Sequence, residues 1–235
     1  MFPRLLALGC TLGVAAPAAV VLPQEPVDSF KALADRLHAT AIDIRAGAPA
    51  ISDGIARLQI VAGGTGTLLR GGFAVTSLHA VAAPDASGKM TPLPHVEVRV
   101  ADRDAVQARV LAGAPQLDLA LLELPSELGP VDAAELAPAS PAEGDRLLAM
   151  GVDGDGVAVL GVSVDAVDGD LIVLGTKRML DSRFWGGPLY DGSGRLAGVV
   201  LMSLGVPKAI SATVIQQMLD RRPRSPAPLS HLQGD

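Results

Sequence analysis

Apolar and polar residues alternate in many short runs of this chain, and this period of two predicts a protein built mainly of β-strands. The clearest case is residues 96–100, where three valines alternate with a glutamate and an arginine. Glycine pairs and Asp-Gly steps separate the runs, as is typical of turns. The runs predict strands at residues 41–45, 55–61, 66–77, 96–100, 106–112, 146–151, 158–167, 171–174 and 195–202.

Two segments have the spacing of amphipathic helices instead. Residues 26–38 carry apolar side chains at positions i, i+3, i+4 and i+7, and Asp28 or Ser29 is placed to cap this helix. A second helix with one apolar face is predicted over residues 212–221, with Ser211 as its N-cap. The β-rich region is therefore expected to have a helix near each end.

The composition indicates a folded domain and argues against several classes of partner and site. Of the 235 residues, 49% are hydrophobic and only 19% are charged, which is enough apolar material for a large core. The net charge of −6 argues against nucleic acid as a partner, because phosphate binding needs a basic surface. Cys10 is the only cysteine, so neither a disulfide nor a cysteine nucleophile is expected. The sequence has no metal-ligand cluster and no phosphate-binding loop, and we expect no metal and no cofactor.

The first 22 residues have the pattern of an export signal. Arg4 gives a short positive start, residues 5–21 are apolar, and Ala16-Pro17-Ala18 has the small residues of a cleavage site. A retained membrane anchor formed by residues 5–21 is the main alternative, and Cys10 makes a lipoprotein site a weaker one. The protein is therefore expected to be exported, to the periplasm, the extracellular space or the envelope. At the other end, the proline-containing residues 222–235 are expected to form a flexible tail.

Several segments, in this order along the chain, resemble a known family. Residues 64–69 and 73–81 are similar to a Gly-Ser-Gly…Val-Thr-Asn-x-His-Val-Val pattern, and residues 117–124 are similar to an Asp-Leu-Ala-Val-Leu signature. Residues 144–151 resemble a Gly-Asp-x-Val-x-Ala-x-Gly strand. Residues 185–189, Trp-Gly-Gly-Pro-Leu, match the end of a Gly-Asn/Asp-Ser-Gly-Gly-Pro-Leu loop. Together these segments resemble the trypsin-like serine proteases and, within them, the Deg/HtrA branch.

The resemblance implies an all-β fold of two antiparallel β-barrels of the trypsin-like type, over residues 26–221. The lobes would lie at about 39–125 and 140–204, and no PDZ domain is expected after them, although many Deg/HtrA proteins carry one. The resemblance places His79 and Asp118 at the catalytic histidine and aspartate positions on the first lobe, across a shared cleft from position 185 on the second. By itself, a histidine after an apolar strand is more often structural, so these roles depend on the resemblance.

The nucleophile loop departs from the family pattern at three positions. Trp185 stands where the serine would be, and an indole has one N–H donor and no usable nucleophile. Phe184 replaces the Asn or Asp, and Arg183 replaces the glycine two residues before the serine. Backbone N–H groups of this loop form the oxyanion hole in active relatives, and glycine permits conformations that other residues resist. The loop is therefore predicted to lack the nucleophile and to have an altered oxyanion site.

Three functions remain open on the sequence alone. The first is an exported pseudoprotease that binds a peptide or protein ligand in its cleft, with Trp185 either filling the cleft or contacting the ligand. The second is an active Deg/HtrA-type serine endopeptidase with an unrecognised nucleophile; Ser182 is the nearest hydroxyl, but it lacks the Gly-x-Ser-Gly-Gly context. The third is a structural or oligomeric envelope protein whose cleft has no role. The partner and the oligomeric state are open as well.

Overall fold

Two closed β-barrels, each of six antiparallel strands, form the body of the protein, and a helix lies near each end of the described chain. The structure is a computed structural model that describes residues 27–222 apart from 53–54, 102, 130, 154–155, 179 and 202–204. The all-β, two-barrel fold expected from the sequence is confirmed. The predictions for the export signal at 1–22 and for tail residues 223–235 lie outside the described residues. Among the helices of the described part, none is long and apolar enough to cross a membrane.

The first barrel is built from the N-terminal strands. These are β1 (Ala41–Ser52), β2 (Ile55–Leu69), β3 (Phe73–Ser77), β4 (Ala82–Pro84), β5 (Met90–Pro92), β6 (His95–Val100), β7 (Val106–Ala114) and β8 (Leu119–Glu123). The barrel closes in the order β1-β2-β3-β8-β7-β6, while β4 and β5 form a separate two-stranded sheet. Alternate side chains of the strands fill its interior, as the period of two requires, among them Ile42, Ile44, Val96, Val98 and Val100.

The second barrel is built from the C-terminal strands. These are β9 (Arg146–Asp153), β10 (Gly156–Asp168), β11 (Leu171–Gly175), β12 (Pro188–Tyr190), β13 (Leu196–Val200) and β14 (Lys208–Ser211). They close in the order β10-β11-β14-β13-β12-β9. The Asp168-Gly169 step makes the β10–β11 hairpin turn, with φ of 59° at Gly169. The interior is again filled by alternate side chains, among them Leu147, Ala149, Val162, Val164, Ile172 and Leu174.

The strands differ from the sequence pattern mainly in their length. The pattern predicts a break at Gly63-Gly64, and this prediction is wrong, because β2 continues and pairs with β1 at both positions. A Cβ at Gly63 would lie 2.9 Å from the carbonyl oxygen of Ile44, so glycine here permits close approach of two strands. The sequence pattern also missed β4, β5, β12 and β14. The last of these lies beyond residue 204, the approximate limit given for the second lobe.

A third apolar core lies between the barrels and holds both helices, α1 (Val27–Leu37) and α2 (Ala212–Arg221). Leu33 and Leu37 of α1 and Ile215 of α2 pack there against side chains from both barrels. The helices agree with the predicted spans to within one residue. Ser211 precedes α2, but its side chain makes no capping hydrogen bond, so the capping prediction is wrong.

Tyr190 connects the second barrel to the end of α1. Its buried hydroxyl forms a hydrogen bond with the hydroxyl of Thr40, and Thr40 donates to the carbonyl oxygen of Leu37 at 2.6 Å. Since Thr40 has a single hydroxyl hydrogen, Tyr190 is the donor in the first of these bonds. Burial raises the pKa of Tyr190 well above the ordinary tyrosine value.

Candidate active site and its altered loop

His79 and Asp118 are in contact although 39 residues separate them in the chain. His79 lies in a short turn, Leu78–Ala80, that follows β3, and Asp118 lies between the turn Pro115–Leu117 and β8. Because β3 and β8 are neighbouring strands, the two turns meet at the same edge of the barrel. The Nδ1–H of His79 donates to Asp118 Oδ2 at 2.7 Å, and the backbone N–H of His79 donates to Oδ1 at 3.0 Å.

These two bonds orient the imidazole of His79. Because the carboxylate of Asp118 accepts, Nδ1 carries the proton and Nε2 is left as the acceptor in the neutral ring. The side chains of His79 and Asp118 are 23% and 28% exposed, so the pair is not sealed in the core. Asp118 has φ of 49°, a left-handed conformation that aspartate adopts more readily than most residues. Such a pair can take a proton from a hydroxyl placed at Nε2. Their catalytic roles remain a prediction.

Trp185 is the aromatic side chain that meets His79 from the second barrel. The ring centroids lie 5.8 Å apart and the planes are inclined at 79°, an edge-to-face contact. Trp185 is half-buried. Ser182 is exposed, and within the described part of the chain no hydrogen bond joins its hydroxyl to His79. The side chain presented to the imidazole is therefore an indole.

Residues 181–187, called the altered loop because they differ from the motif that they resemble, are held in their conformation by hydrogen bonds within the loop. The carboxylate of Asp181 accepts the backbone N–H of Arg183 at 3.1 Å and its Nη2–H at 2.8 Å. The side-chain hydrogen bond from Arg183 holds the pKa of Asp181 below its usual range. The backbone N–H of Trp185 donates to the carbonyl oxygen of Ser182 at 3.3 Å. Phe184 packs in the core of the second barrel, whereas Arg183 is exposed.

Comparisons with known proteins agree with this fold. The family model described as "Trypsin-like peptidase domain" matches residues 64–199, more than half of the chain. The chain belongs to the trypsin-like peptidase family. Among solved structures, the serine endoprotease from Yersinia pestis is similar, at 17% sequence identity and a TM-score of 0.66, over 85% of this chain and 66% of that chain. At this identity the likeness shows the fold, and this chain spans less than two thirds of the length of that protein. No curated protein matches the sequence.

Trypsin-like peptidases stabilise the reaction intermediate with two backbone N–H groups, from the nucleophile and from the residue two positions before it. The corresponding groups here belong to Trp185 and Arg183. Both already donate within the loop, to the Ser182 carbonyl oxygen and to the Asp181 carboxylate. In this conformation neither is directed at a developing oxyanion. Both N–H groups are therefore engaged by acceptors within residues 181–185.

Thr65 also contributes to this site, although the sequence pattern did not identify it. Its hydroxyl donates to the carbonyl oxygen of Arg183 at 2.6 Å and accepts the N–H of Val152 at 2.7 Å. Its backbone N–H donates to the carbonyl oxygen of Trp185 at 3.1 Å. One residue of the first barrel thus holds two carbonyl groups of the altered loop. The only signal in the sequence was its place between two glycines of the matched motif.

The two glycines that follow Trp185 are required by the packing around them. Gly186 has φ of 77°, and a Cβ there would lie 2.4 Å from the carbonyl oxygen of Thr65. A Cβ at Gly187 would lie 2.2 Å from the carbonyl oxygen of Met150. Gly186 is therefore needed for the second barrel to meet the first, and Gly187 for close packing against β9 within the second barrel, whether or not the site is catalytic. Within the described ranges, no three His, Cys, Asp or Glu side chains are grouped to bind a metal ion.

Proposed function

We propose that this chain is an exported pseudoprotease, a trypsin-like domain that binds a peptide or protein segment in its cleft without cleaving it. The observation that carries the proposal is the edge-to-face contact of Trp185 with His79 at 5.8 Å. Acyl transfer in this fold needs a hydroxyl at that place, which the imidazole can deprotonate. The indole provides no such hydroxyl.

The backbone of the loop supports the same proposal. Losing the catalytic unit costs on the order of 10⁶-fold in turnover, and the residual rate comes from the oxyanion hole and from substrate binding. Here the N–H groups of Arg183 and Trp185 are bonded within the loop, so the residual contribution of the hole is lost as well. Inactivity therefore follows from two independent changes.

Binding is the function that the remaining features favour. A tryptophan brings about 150–250 Å² of contact area, and its indole N–H is a donor. The ring belongs to the second barrel and contacts His79 of the first, so it is available to a segment that binds where the barrels meet. Export is proposed from the pattern of residues 1–22 alone. An unfolded or extended segment of another exported protein is accordingly the proposed ligand class.

One purified preparation tests inactivity and binding separately. The full chain is treated with a fluorophosphonate probe and with unfolded casein, and we expect neither labelling nor degradation. Stoichiometric labelling at any serine would refute inactivity, and loss of that label in Ser182→Ala would identify Ser182 as the nucleophile. Trp185 is the only tryptophan, so its emission reports ligand binding directly. We expect a saturable emission shift with a tryptophan-free unfolded polypeptide, and an unchanged spectrum at saturating concentrations would refute the binding role.

A further inference from the structure

Helix α2 begins at the second barrel but ends on the first. The guanidinium carbon of Arg222 lies 4.7 Å from the ring centroid of Phe73, the first residue of β3. Arg222 itself has φ of −57° and ψ of 144°, the polyproline II conformation that the following Pro223 favours. The chain therefore leaves α2 in an extended form, at the surface of the first barrel.

A groove of about 680 Å³ lies on the first barrel close to this exit point. Phe73 pairs with Glu123 of β8, and Glu123 pairs in turn with Arg109 of β7, so the three residues cross the sheet in a row. Glu123 and Arg109 both line the groove, and the exposed Glu127 lies at it as well. Much of the remaining lining is apolar and rich in proline: Pro92, Leu93, Pro94, Leu124 and Pro125.

We propose that this groove is the docking site for residues 223–235 of the same chain. Pro223, Pro226 and Pro228 favour a polyproline II segment, which advances about 3.1 Å per residue. Neighbouring strands lie about 4.8 Å apart, so crossing from β3 to β7 takes about three residues. This spacing brings Arg224 over β8, within reach of the carboxylate of Glu127. The prolines that follow then meet the proline-rich wall of the groove.

The charges and the apolar surfaces are complementary in this arrangement. Glu123 is already paired with Arg109, whose guanidinium donates to its carboxylate at 2.9 Å from Nε. The exposed Glu127 is therefore the carboxylate that faces Arg224, and the groove offers aliphatic and proline surface where the segment carries Pro226, Pro228 and Leu229. A polyproline II segment docks at low entropic cost, because its extended conformation is already formed before binding. The docked segment is a strap from the last helix of the second barrel to the outer face of the first.

Trypsin cleavage between Arg224 and Ser225 tests the docking in the full-length chain. We expect this bond to be cut at least about tenfold more slowly than in a synthetic peptide of residues 219–235, because cleavage tracks the undocked population. Glu127→Arg should remove most of this protection by repelling Arg224. Glu143→Arg, which changes an exposed glutamate outside the groove, should leave it unchanged. Cleavage of the unmodified chain at the rate of the peptide would overturn the proposal, as would equal protection in the Glu127→Arg chain.

A disulfide test identifies the occupant of the groove. Ser126, which lines the groove, and Ser225 are both changed to cysteine in a full-length chain that also carries Cys10→Ser. We expect the disulfide to form within one chain, and to form about tenfold more slowly when Glu127→Arg is added. A disulfide that forms mainly between chains would assign the groove to a second copy and overturn the proposal. An intrachain rate unaffected by Glu127→Arg would show a tethered but undocked segment, which also overturns it.

Discussion

Thr65 and Thr67 are both completely buried on β2, but their hydroxyl groups have opposite surroundings. The Thr65 hydroxyl bonds to the carbonyl oxygen of Arg183 and to the N–H of Val152, and so connects the first barrel to the altered loop and to β9. The hydroxyl of Thr67 has no hydrogen-bond partner among the described residues. Replacement of each threonine by valine, which has nearly the same shape, therefore separates the effect of hydrogen bonding from that of packing.

The expected costs follow from these two environments. Thr65→Val removes two hydrogen bonds, each contributing about 0.5–1.5 kcal/mol net. It also takes a partner from the N–H of Val152 and from the carbonyl oxygen of Arg183, both in part-buried surroundings, where an unsatisfied group costs up to about 1–3 kcal/mol. We expect a loss of about 2–4 kcal/mol in the free energy of unfolding. Thr67→Val removes a buried hydroxyl that has no described partner. Its effect should lie between zero and a gain of about 1 kcal/mol.

Urea denaturation followed by the emission of Trp185 measures both effects in one assay. Trp185 is the only tryptophan, and its carbonyl oxygen accepts the backbone N–H of Thr65, so the probe lies next to the perturbed site. Thr65→Ser keeps the hydroxyl and should recover most of the loss. If Thr65→Val and Thr67→Val unfold at the same urea concentration, the hydroxyl of Thr65 does not hold the loop and the reasoning is refuted.

Three further predictions concern other parts of the site and its support. Phe184→Ala should cost about 3–5 kcal/mol in unfolding free energy because the ring is buried, whereas Arg183→Ala at an exposed ion pair should cost less than about 1 kcal/mol in the same urea titration. Burial raises the pKa of Tyr190, so its protonated hydroxyl contributes fully to the free energy of unfolding below the ordinary tyrosine pKa, and this free energy should fall as the pH rises past about 10. Thermal unfolding of the Tyr190→Phe variant should not show this decline. Trp185→Ser alone should leave hydrolysis of an activated ester at the buffer rate, because the loop N–H groups remain bonded; a saturable rate above the buffer would contradict this.

The sequence by itself determined the two-barrel architecture and predicted which residues stand at the candidate site. Period-two alternation is a local property, because successive side chains of a strand point to opposite faces, and it gave most of the strands. The matched motifs have fixed spacing along the chain, so His79, Asp118 and Trp185 could be assigned before any distance was known. The tryptophan at position 185 and the arginine at position 183, where the resembled motif has serine and glycine, are likewise visible in the sequence.

Only the tertiary structure decided how these residues meet. The pattern predicted a break at Gly63-Gly64, but β1 and β2 remain paired at both positions. The prediction failed because a glycine that ends a strand cannot be told, in sequence, from one that permits close approach of a neighbouring strand. Ser211 stands at a capping position without forming the cap. The hydroxyl of Thr65 bonds to residues that are 87 and 118 positions away, and the internal bonding of the loop N–H groups depends on the fold of that turn. Hydrogen-bond partners of this kind are set by long-range packing, which no local pattern encodes.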